Sequence, residues 1–513
     1  HIAESRGWAS DQAKLDAMEP VVRALGAHYL VNVKRGAGGR AAYDPVANFH
    51  LRNGACLHQI DWRGNTSYSG LRQSLGLMCN YNYVLDQIGA NNERYVRDGA
   101  IAVSGDDPYI ALAAARAKLW LPVAERADAL TERAFTVMSY NVLCQKLVQR
   151  HLFPYASKSS LKWKGRRPLL LDELSHLKPD LMCLQEVYTK NWDDTFSMWF
   201  QREGYEAKRF QSRAKSHGVS ISWKKTRFTA VDEKQVNMDR TAEACGEPLE
   251  TDNVALIVVL RFADPVLGGP PGIIVSNTHL FWHPAACYER LQQQLVLARA
   301  LSEVQGKYPG HPVIACGDYN TTPDDAGYDL VTKPRPVKLN EWQLDNLLPR
   351  TADVDDEGDA EDGGDSSPAL AYSEMAAAGT AAETAETRDK RQKLALEEQR
   401  AEEQVQRDTM RVGRLVAAME AECTPLTSSY GTYADLDPSY ATPQWKGEPI
   451  YTNYAKWKGT LDYIFYSAGR GISVRHVLSL PPAGQMKPGL PNETFSSDHV
   501  SLLSRFDVDA PES

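Results

Sequence analysis

Six short polar clusters, each closing or flanking an apolar run, constrain this chain more than any other feature. They are Ser139-Tyr140-Asn141, Gln185-Glu186, Asn277-Thr278-His279, Gly317-Asp318-Tyr319-Asn320, Leu461-Asp462-Tyr463 and Ser497-Asp498-His499. Apolar runs of about four to eight residues between turn signals read as buried strands. Phe135-Thr136-Val137-Met138, Leu181-Met182-Cys183-Leu184, Ala255 to Leu260, Gly272 to Ser276 and Pro312 to Cys316 are of this kind. Carboxylates, amides and imidazoles at successive strand ends are the donors that a hard divalent cation and a phosphate ester require. Mg²⁺ takes few direct carboxylates and keeps waters, so its site is assembled from scattered oxygens. The pattern points to metal-assisted phosphoester hydrolysis.

Each residue alone has a plainer reading. Asn141 could form a turn, and a strand-end His279 is more often structural. Gly317-Asp318-Tyr319-Asn320 could be a tight turn, and Asp498-His499 a pair that orient one another. Glu186 differs, because a carboxylate ending a buried run is costly unless it is paired or metal-bound. Coincidence across six strand-like runs is what the bland readings cannot supply.

The clusters occupy only part of the chain. At 513 residues it is too long for one ordinary domain, and two or three folded units are expected. Residues 1 to about 120 mix helical and loop signals and end in an Ala-rich helical run, Pro108 to Leu119. A charged stretch within 121–134 reads as a linker. From Phe135 strands alternate with amphipathic helical stretches, Arg167 to His176, Trp192 to Arg202 and Tyr288 to Tyr308, which predicts layered sheets and helices.

An insertion over 351–422 interrupts this pattern. It opens as an acidic loop from Asp353 to Asp365 and continues as helix-forming sequence from Ala382 to Ala421. Its thin apolar stripe (Leu394, Leu396, Val405, Met410, Val412, Leu415, Val416) fits a long inserted helix or, alternatively, a partner-binding one. Strand-like sequence returns at Gly459, so one domain resumes over 423–508.

The net charge of −9 argues against nonspecific, charge-driven binding to nucleic acid. A local basic cluster remains: Lys162, Lys164, Arg166 and Arg167. It either contacts a phosphate backbone or is a solvated helix start. Arg290 and Gln293 either support the site or serve helix contacts. Eight cysteines show no C-x-x-C pair, and several sit in apolar runs, so we expect reduced core thiols inside the cell. No apolar stretch reaches the ~18 residues needed to span a membrane. The cytoplasm is the expected compartment. Because the chain starts at His1, we expect a truncated N-terminus, and the nucleus, mitochondrion and peroxisome stay open.

In order, the phrases Met138 to Leu143, Leu184-Gln185-Glu186-Val187, Asp252 to Leu256, Asn277 to Pro284, Gly317 to Pro323, Gly459 to Ile464 and Ser497-Asp498-His499 resemble the endonuclease/exonuclease/phosphatase superfamily. The nearer likeness is to its branch of carbon-catabolite-repression deadenylases, nocturnin and angel-type proteins. The resemblance implies a four-layer α/β sandwich with its site at the strand ends. It implies Mg²⁺, with Mn²⁺ as an alternative, on Glu186, Asn141 and Asp498. It places His279 and His499 on the scissile phosphate, with Asp462 fixing the charge and tautomer of His499. Asp318 would orient or deprotonate the attacking water, and Asn320 would hold a phosphate oxygen. Lys164, Arg166 and Arg290 are the candidate substrate contacts. The chain departs from the branch at Lys215-Ser216-His217-Gly218, where many members have Asp-Gly.

A second likeness covers the first 120 residues. Ala27 to Gly36, Asp44 to Ala55 and Ser74 to Tyr83 resemble the C-terminal end of malonyl-CoA decarboxylase, a partial α/β acyl-CoA-enzyme segment. His50 is the counterpart of that family's catalytic histidine and Tyr83 of a site tyrosine, while Asn65 stands where an acidic residue is usual. The segment is either the tail of a bifunctional chain acting on malonyl-CoA or a remnant joined by fusion or by a gene-model error. The leading expectation is a 3′–5′ exoribonuclease acting on RNA 3′ ends such as poly(A). The alternatives are a phosphatase for a small nucleotide such as NADP(H) and a decarboxylase of fatty acid metabolism in a longer chain.

Overall fold

The computed structural model describes residues 11–35, 41–116, 120–123, 134–240, 248–265, 268–349 and 385–509. The first segment is built on an antiparallel ribbon, β1 (Cys56–Asp61) with β2 (Met78–Asn82). Helices Gln12–Asn32, Pro45–Arg52, Ile88–Asp98 and Pro108–Arg116 accompany it around a small core of Ala27, Val31, Leu51, Leu57, Ile60 and Tyr95. Buried Asp107 ties this core together. It accepts from Ile60 N at 2.9 Å and Tyr109 N at 2.9 Å, and pairs with Arg23 at 3.0 Å.

The remaining strands form two large sheets and one short two-stranded ribbon, Asn453–Tyr454 with Lys458–Gly459. They are β3 (Trp120–Pro122), β4 (Phe135–Asn141), β5 (Leu181–Tyr188), β6 (Tyr205–Phe210), β7 (His217–Lys224), β8 (Phe228–Asn237), β9 (Val254–Phe262), β10 (Gly272–His279) and β11 (Val313–Asp318). After the insertion come β12 (Thr427–Ser428), β13 (Asn453–Tyr454), β14 (Lys458–Gly459), β15 (Asp462–Tyr466), β16 (Ile472–Leu478) and β17 (Leu502–Val508). One sheet runs β3-β16-β17-β4-β5-β7-β6 and the other β12-β15-β11-β10-β9-β8. Trp120–Pro122 thus pairs with β16 at a sheet edge, where the sequence placed the end of the first segment and the start of a linker.

Period-two alternation sorts the strand residues into layers. Val137, Leu181, Cys183, Leu256, Val258, Ile273, Val275, Ile314 and Cys316 face one core between the sheets. Their neighbours Met138, Met182 and Leu184 face Leu170 and Leu174 of helix Trp163–Leu177. Ala255, Ile257, Ile274, Val313 and Ala315 pack instead on Leu291, Leu295 and Leu301 of helix Cys287–Lys307. Helix, sheet, sheet, helix is the expected four-layer order. These strands read as unbroken apolar runs because both of their faces are buried.

The inserted helix, Ala385–Glu422, is divided along its length. Val412, Leu415, Met419 and the following Cys423 are buried in the core shared with helix Cys287–Lys307, and Arg299 clasps Glu422 at 2.7 Å through two nitrogens. Leu394, Leu396, Val405 and Met410 are exposed, so the stripe read in the sequence serves packing only at its C-terminal end. The acidic loop lies outside the described residues. No described helix is long and apolar enough to cross a membrane.

Candidate active site

All six clusters come together where strand ends of the two sheets meet. Asn141 ends β4, His279 ends β10 and Asp318 ends β11. Because β15 runs antiparallel to β11, its first residue, Asp462, lies directly opposite Asp318. His499 reaches the same place from the turn before β17, bridged to Asn453. Gly317 permits the close approach of β10 to β11 beneath Asp318, since a Cβ there would lie 2.6 Å from Thr278 O.

Glu186 enters by a different device. The β5–β7 register shifts between Leu184 and Val187, and Glu186 takes φ +59° within that bulge. Left-handed backbone at a non-glycine residue persists only where the surroundings hold it, and bulges re-aim side chains. The holding contacts are Cys144 N to Glu186 Oε2 at 2.7 Å and Asn141 Nδ2 to Oε1 at 3.1 Å. Leu143 and Asn320, on the adjoining loops, also have positive φ.

Asp318 is the hub. Its Oδ2 accepts from Asn141 Nδ2 at 2.9 Å and lies 3.6 Å from His279 Nε2 and 3.7 Å from His499 Nε2, while Oδ1 takes Asn320 N at 3.1 Å. His499 Nδ1 sits 2.8 Å from Asp462 Oδ2, which Thr452 Oγ1 also holds at 2.6 Å. Burial opposes a charged His499 ring, but Asp462, Asp318 and Asp498 outweigh it and hold its pKa well above the usual value. Burial pushes His279 down to about 4 despite Glu186. It also raises Asp318, Asp462 and Asp498 above the ordinary carboxylate range. Glu186 goes the other way: burial is outweighed by His279, His217, Cys144 N–H and Asn141.

A divalent cation fits this donor set. Among the described residues no lysine or arginine forms an ion pair with Glu186, Asp318 or Asp498. One carboxylate oxygen of Asp462, Oδ1, is buried without a partner. Asp318, Asp462 and His499 lie close enough together to hold an ion, their ligand atoms within 4.8 Å. His499 Nδ1 is already taken by Asp462, and carboxylate oxygens, such as those of Glu186 and Asp498 that the family resemblance implies, are the donor type a hard ion prefers.

Three sequence expectations need correction. Arg166 is fully buried, donating to Val142 O at 2.7 Å, Leu143 O at 2.6 Å and Ser496 O at 2.5 Å, so it braces the site loops and cannot touch substrate. Arg290, 3% exposed, spends its guanidinium on His283 O, Pro284 O and Cys287 Sγ, so it is no substrate contact and takes the structural of its two readings, as does Gln293, which holds Phe281 N. Asn141 turns its amide nitrogen to the carboxylates because Leu143 N claims the oxygen at 3.0 Å, which makes it a bridge between Glu186 and Asp318 rather than an oxygen ligand. Lys162, Lys164 and Arg167 are exposed. Asn320 donates Nδ2 to Leu280 O at 3.0 Å.

Sequence reasoning missed Thr452, which nothing in its neighbourhood distinguishes. It also left Lys215 and Asn253 without roles, although both lie in quoted phrases. Lys215 Nζ reaches Asn253 Oδ1 at 3.2 Å, and Asn253 Nδ2 holds His279 O at 2.6 Å. His217 stands beside them, its ring 6.4 Å from that of His279 and pushed down to about 4 by burial. In the first segment His50 Nδ1 lies 3.0 Å from Tyr83 OH, and Tyr81 stacks on the imidazole at 4.4 Å.

Comparison with known proteins agrees with both halves. Residues 1–111 match the malonyl-CoA decarboxylase C-terminal domain. A probable RNA exonuclease of Schizosaccharomyces pombe is 29% identical over 73% of this chain and 76% of its own length. The RNA exonuclease NGL2 of Saccharomyces cerevisiae is 27% identical over 74% of this chain and 79% of its own. The crystal structure of ANGEL2, a 2′,3′-cyclic phosphatase, in complex with adenosine-2′,3′-vanadate shares the fold, at TM-score 0.51 and 23% identity over 77% of this chain and 99% of that one. Residues 138–499 match the endonuclease/exonuclease/phosphatase family, and the chain belongs to that family of hydrolytic enzymes.

Proposed function

We propose that this chain is a Mg²⁺-dependent phosphodiesterase that removes nucleotides from RNA 3′ ends. The observation that carries the reading is Asp318, a buried carboxylate shared by Asn141, His279 and His499 within reach of Glu186. The names of the two fungal relatives support RNA as the substrate.

Glu186 and Asp498 would hold the ion, which when bound supplies charge neutralisation at the phosphate. The chain's own groups do the rest. Asp318 orients a water and takes its proton as the water oxygen attacks phosphorus. Its burial-raised pKa brings it closer to the working pH, where a general base is most effective. His499, kept protonated by Asp462, donates to a non-bridging phosphate oxygen; the bond from phosphorus to the leaving 3′ oxygen breaks, the departing alkoxide takes a proton from solvent, and Asp318 releases to solvent the one it accepted. Uncharged His279 and the second amide hydrogen of Asn320 add donors on the same phosphate.

The test is mononucleotide release from a labelled oligoribonucleotide, with and without Mg²⁺, beside small nucleotide phosphoesters. We expect Mg²⁺-dependent release from the strand and a fall below detection in Glu186→Ala. Full activity in that variant overturns the metal assignment. Turnover of small phosphoesters alone overturns RNA.

A further inference from the structure

Past Asn320 the chain builds a second polar pocket. It encloses about 240 Å³ and is lined by Asp324, Asp329, Lys333, Lys338, Trp342 and Lys446 among others. Asp329, 2% exposed, is clamped by Lys446 Nζ at 2.6 Å and Lys333 Nζ at 3.0 Å and accepts from Gln343 Nε2 at 2.9 Å. Gln343 also donates to Asp324 O at 2.8 Å, so the wall is built rather than merely crowded. Lys338 forms no ion pair among the described residues and is exposed. Oδ1 of Asp324 is buried with no hydrogen-bond partner. Trp342 is 52% exposed on the short helix Glu341–Asn346, whose capping box is made by Asn340 and Gln343.

Three ammonium groups against two carboxylates leave an excess positive charge. An unpartnered buried acceptor seeks a donor. An indole face left to solvent offers a stacking surface. A nucleotide supplies all three complements in one molecule: phosphate, a ribose hydroxyl or base amine, and a planar base. Asp324 follows Asn320 by four residues, so their Cα atoms are at most about 15 Å apart. A strand held by its last phosphodiester at Asp318 can therefore reach the pocket with an upstream unit.

We propose that this pocket is a subsite for an upstream nucleotide of a single-stranded substrate. The base lies on Trp342, the phosphate on Lys338 with Lys333 and Lys446, and Asp324 accepts from ribose or base. The subsite rests on the exoribonuclease reading, but its contacts can be detected without turnover.

The experiment uses the full chain in chelator, with oligoribonucleotides carrying 4-thiouridine at successive positions, cross-linked by light and mapped by peptide mass. Upstream positions should cross-link within Lys338 to Trp342, and the 3′-terminal position near His279 or Asn320. Kinetics give a second arm. Trp342→Ala and Lys338→Ala should each raise KM for a strand of many nucleotides about tenfold, the scale of one lost base stack, and leave kcat and dinucleotide cleavage unchanged. Cross-links confined to the active site, with KM unmoved, overturn the subsite and leave the hydrolase reading standing. Cross-links in the pocket without Mg²⁺-dependent release overturn the hydrolase reading and keep the pocket as an RNA site. Absence of cross-links in the pocket, with KM unmoved in both variants, likewise overturns the subsite, and the hydrolase reading stands or falls on Mg²⁺-dependent release alone.

Discussion

Two histidines of this chain each lean on an oxygen partner, in opposite surroundings. His499 is 6% exposed and backed by Asp462, itself held by Thr452. His50 meets the hydroxyl of Tyr83, a residue 38% exposed, with Tyr81 on one ring face. Polar contacts strengthen where water is excluded, and every unpaired group there becomes costly. The first pair is therefore fixed by both sheets around it. The second is an exposed contact between a half-buried imidazole and a tyrosine hydroxyl, where water competes for both groups. Resemblance to a catalytic histidine is carried by both; among the described residues, His499 is the buried one of the two and His50 the half-exposed one.

The most severe break of this contrast removes the partner of the buried histidine. Asp462→Asn should lower RNA hydrolysis by about 10²–10⁴-fold, the range for a positioned acid or base. The matching Tyr83→Phe change should leave hydrolysis where it was. Equal losses from the two would refute the idea that burial separates them. Next comes the frame. Arg166→Met strips three backbone carbonyls of their donor and should destabilise the protein by about 3–5 kcal/mol, as when one partner of a buried charge is lost. Exposed Lys164→Ala should fall within about 0.5 kcal/mol in the same denaturant titration.

Glu448 tests what a buried carboxylate does without a cation. It is 1% exposed, accepts from Tyr328 OH at 2.9 Å and is pushed up to about 7 by burial. Its folded pKa lies above the unfolded value of about 4.3, so the folded state binds more protons between those limits. Stability is greatest on the acid side and falls as pH rises from about 4.3 through 7, by roughly 4 kcal/mol in all. Glu448→Gln should remove that slope and raise Tm at pH near 8 but not near 5. An unchanged slope would show that the carboxylate finds a countercharge.

How much of this was legible in the sequence follows the same division. The layer order was readable because strands such as Val313–Asp318 are apolar on both faces, and the strand-end positions of Asn141, His279 and Asp318 came with it. What could not be read was direction. Arg166 and Lys164 sit two residues apart at a helix start, yet helical periodicity turns one into the core and the other to solvent. Nor does composition reveal that Asn141 presents nitrogen rather than oxygen, which depends on Leu143 N across a left-handed turn. Thr452 was invisible because its role depends on a pairing with Asp462 made only in the folded chain.

The smallest expected effect is the most decisive for the first segment. His50→Ala removes a hydrogen bond to an exposed tyrosine and one stacked face, and water replaces the former at once. Exposed pairs of this kind contribute little, and we expect less than about 1 kcal/mol by thermal unfolding. Hydrolysis of RNA should not change, since His50 lies on helix Pro45–Arg52 beside the β1–β2 ribbon and on neither large sheet. A loss of several kcal/mol would mean that this surface is covered in the working protein. The contrast with His499 would then be one of partner rather than of burial, because a face that something else encloses would leave both histidines buried.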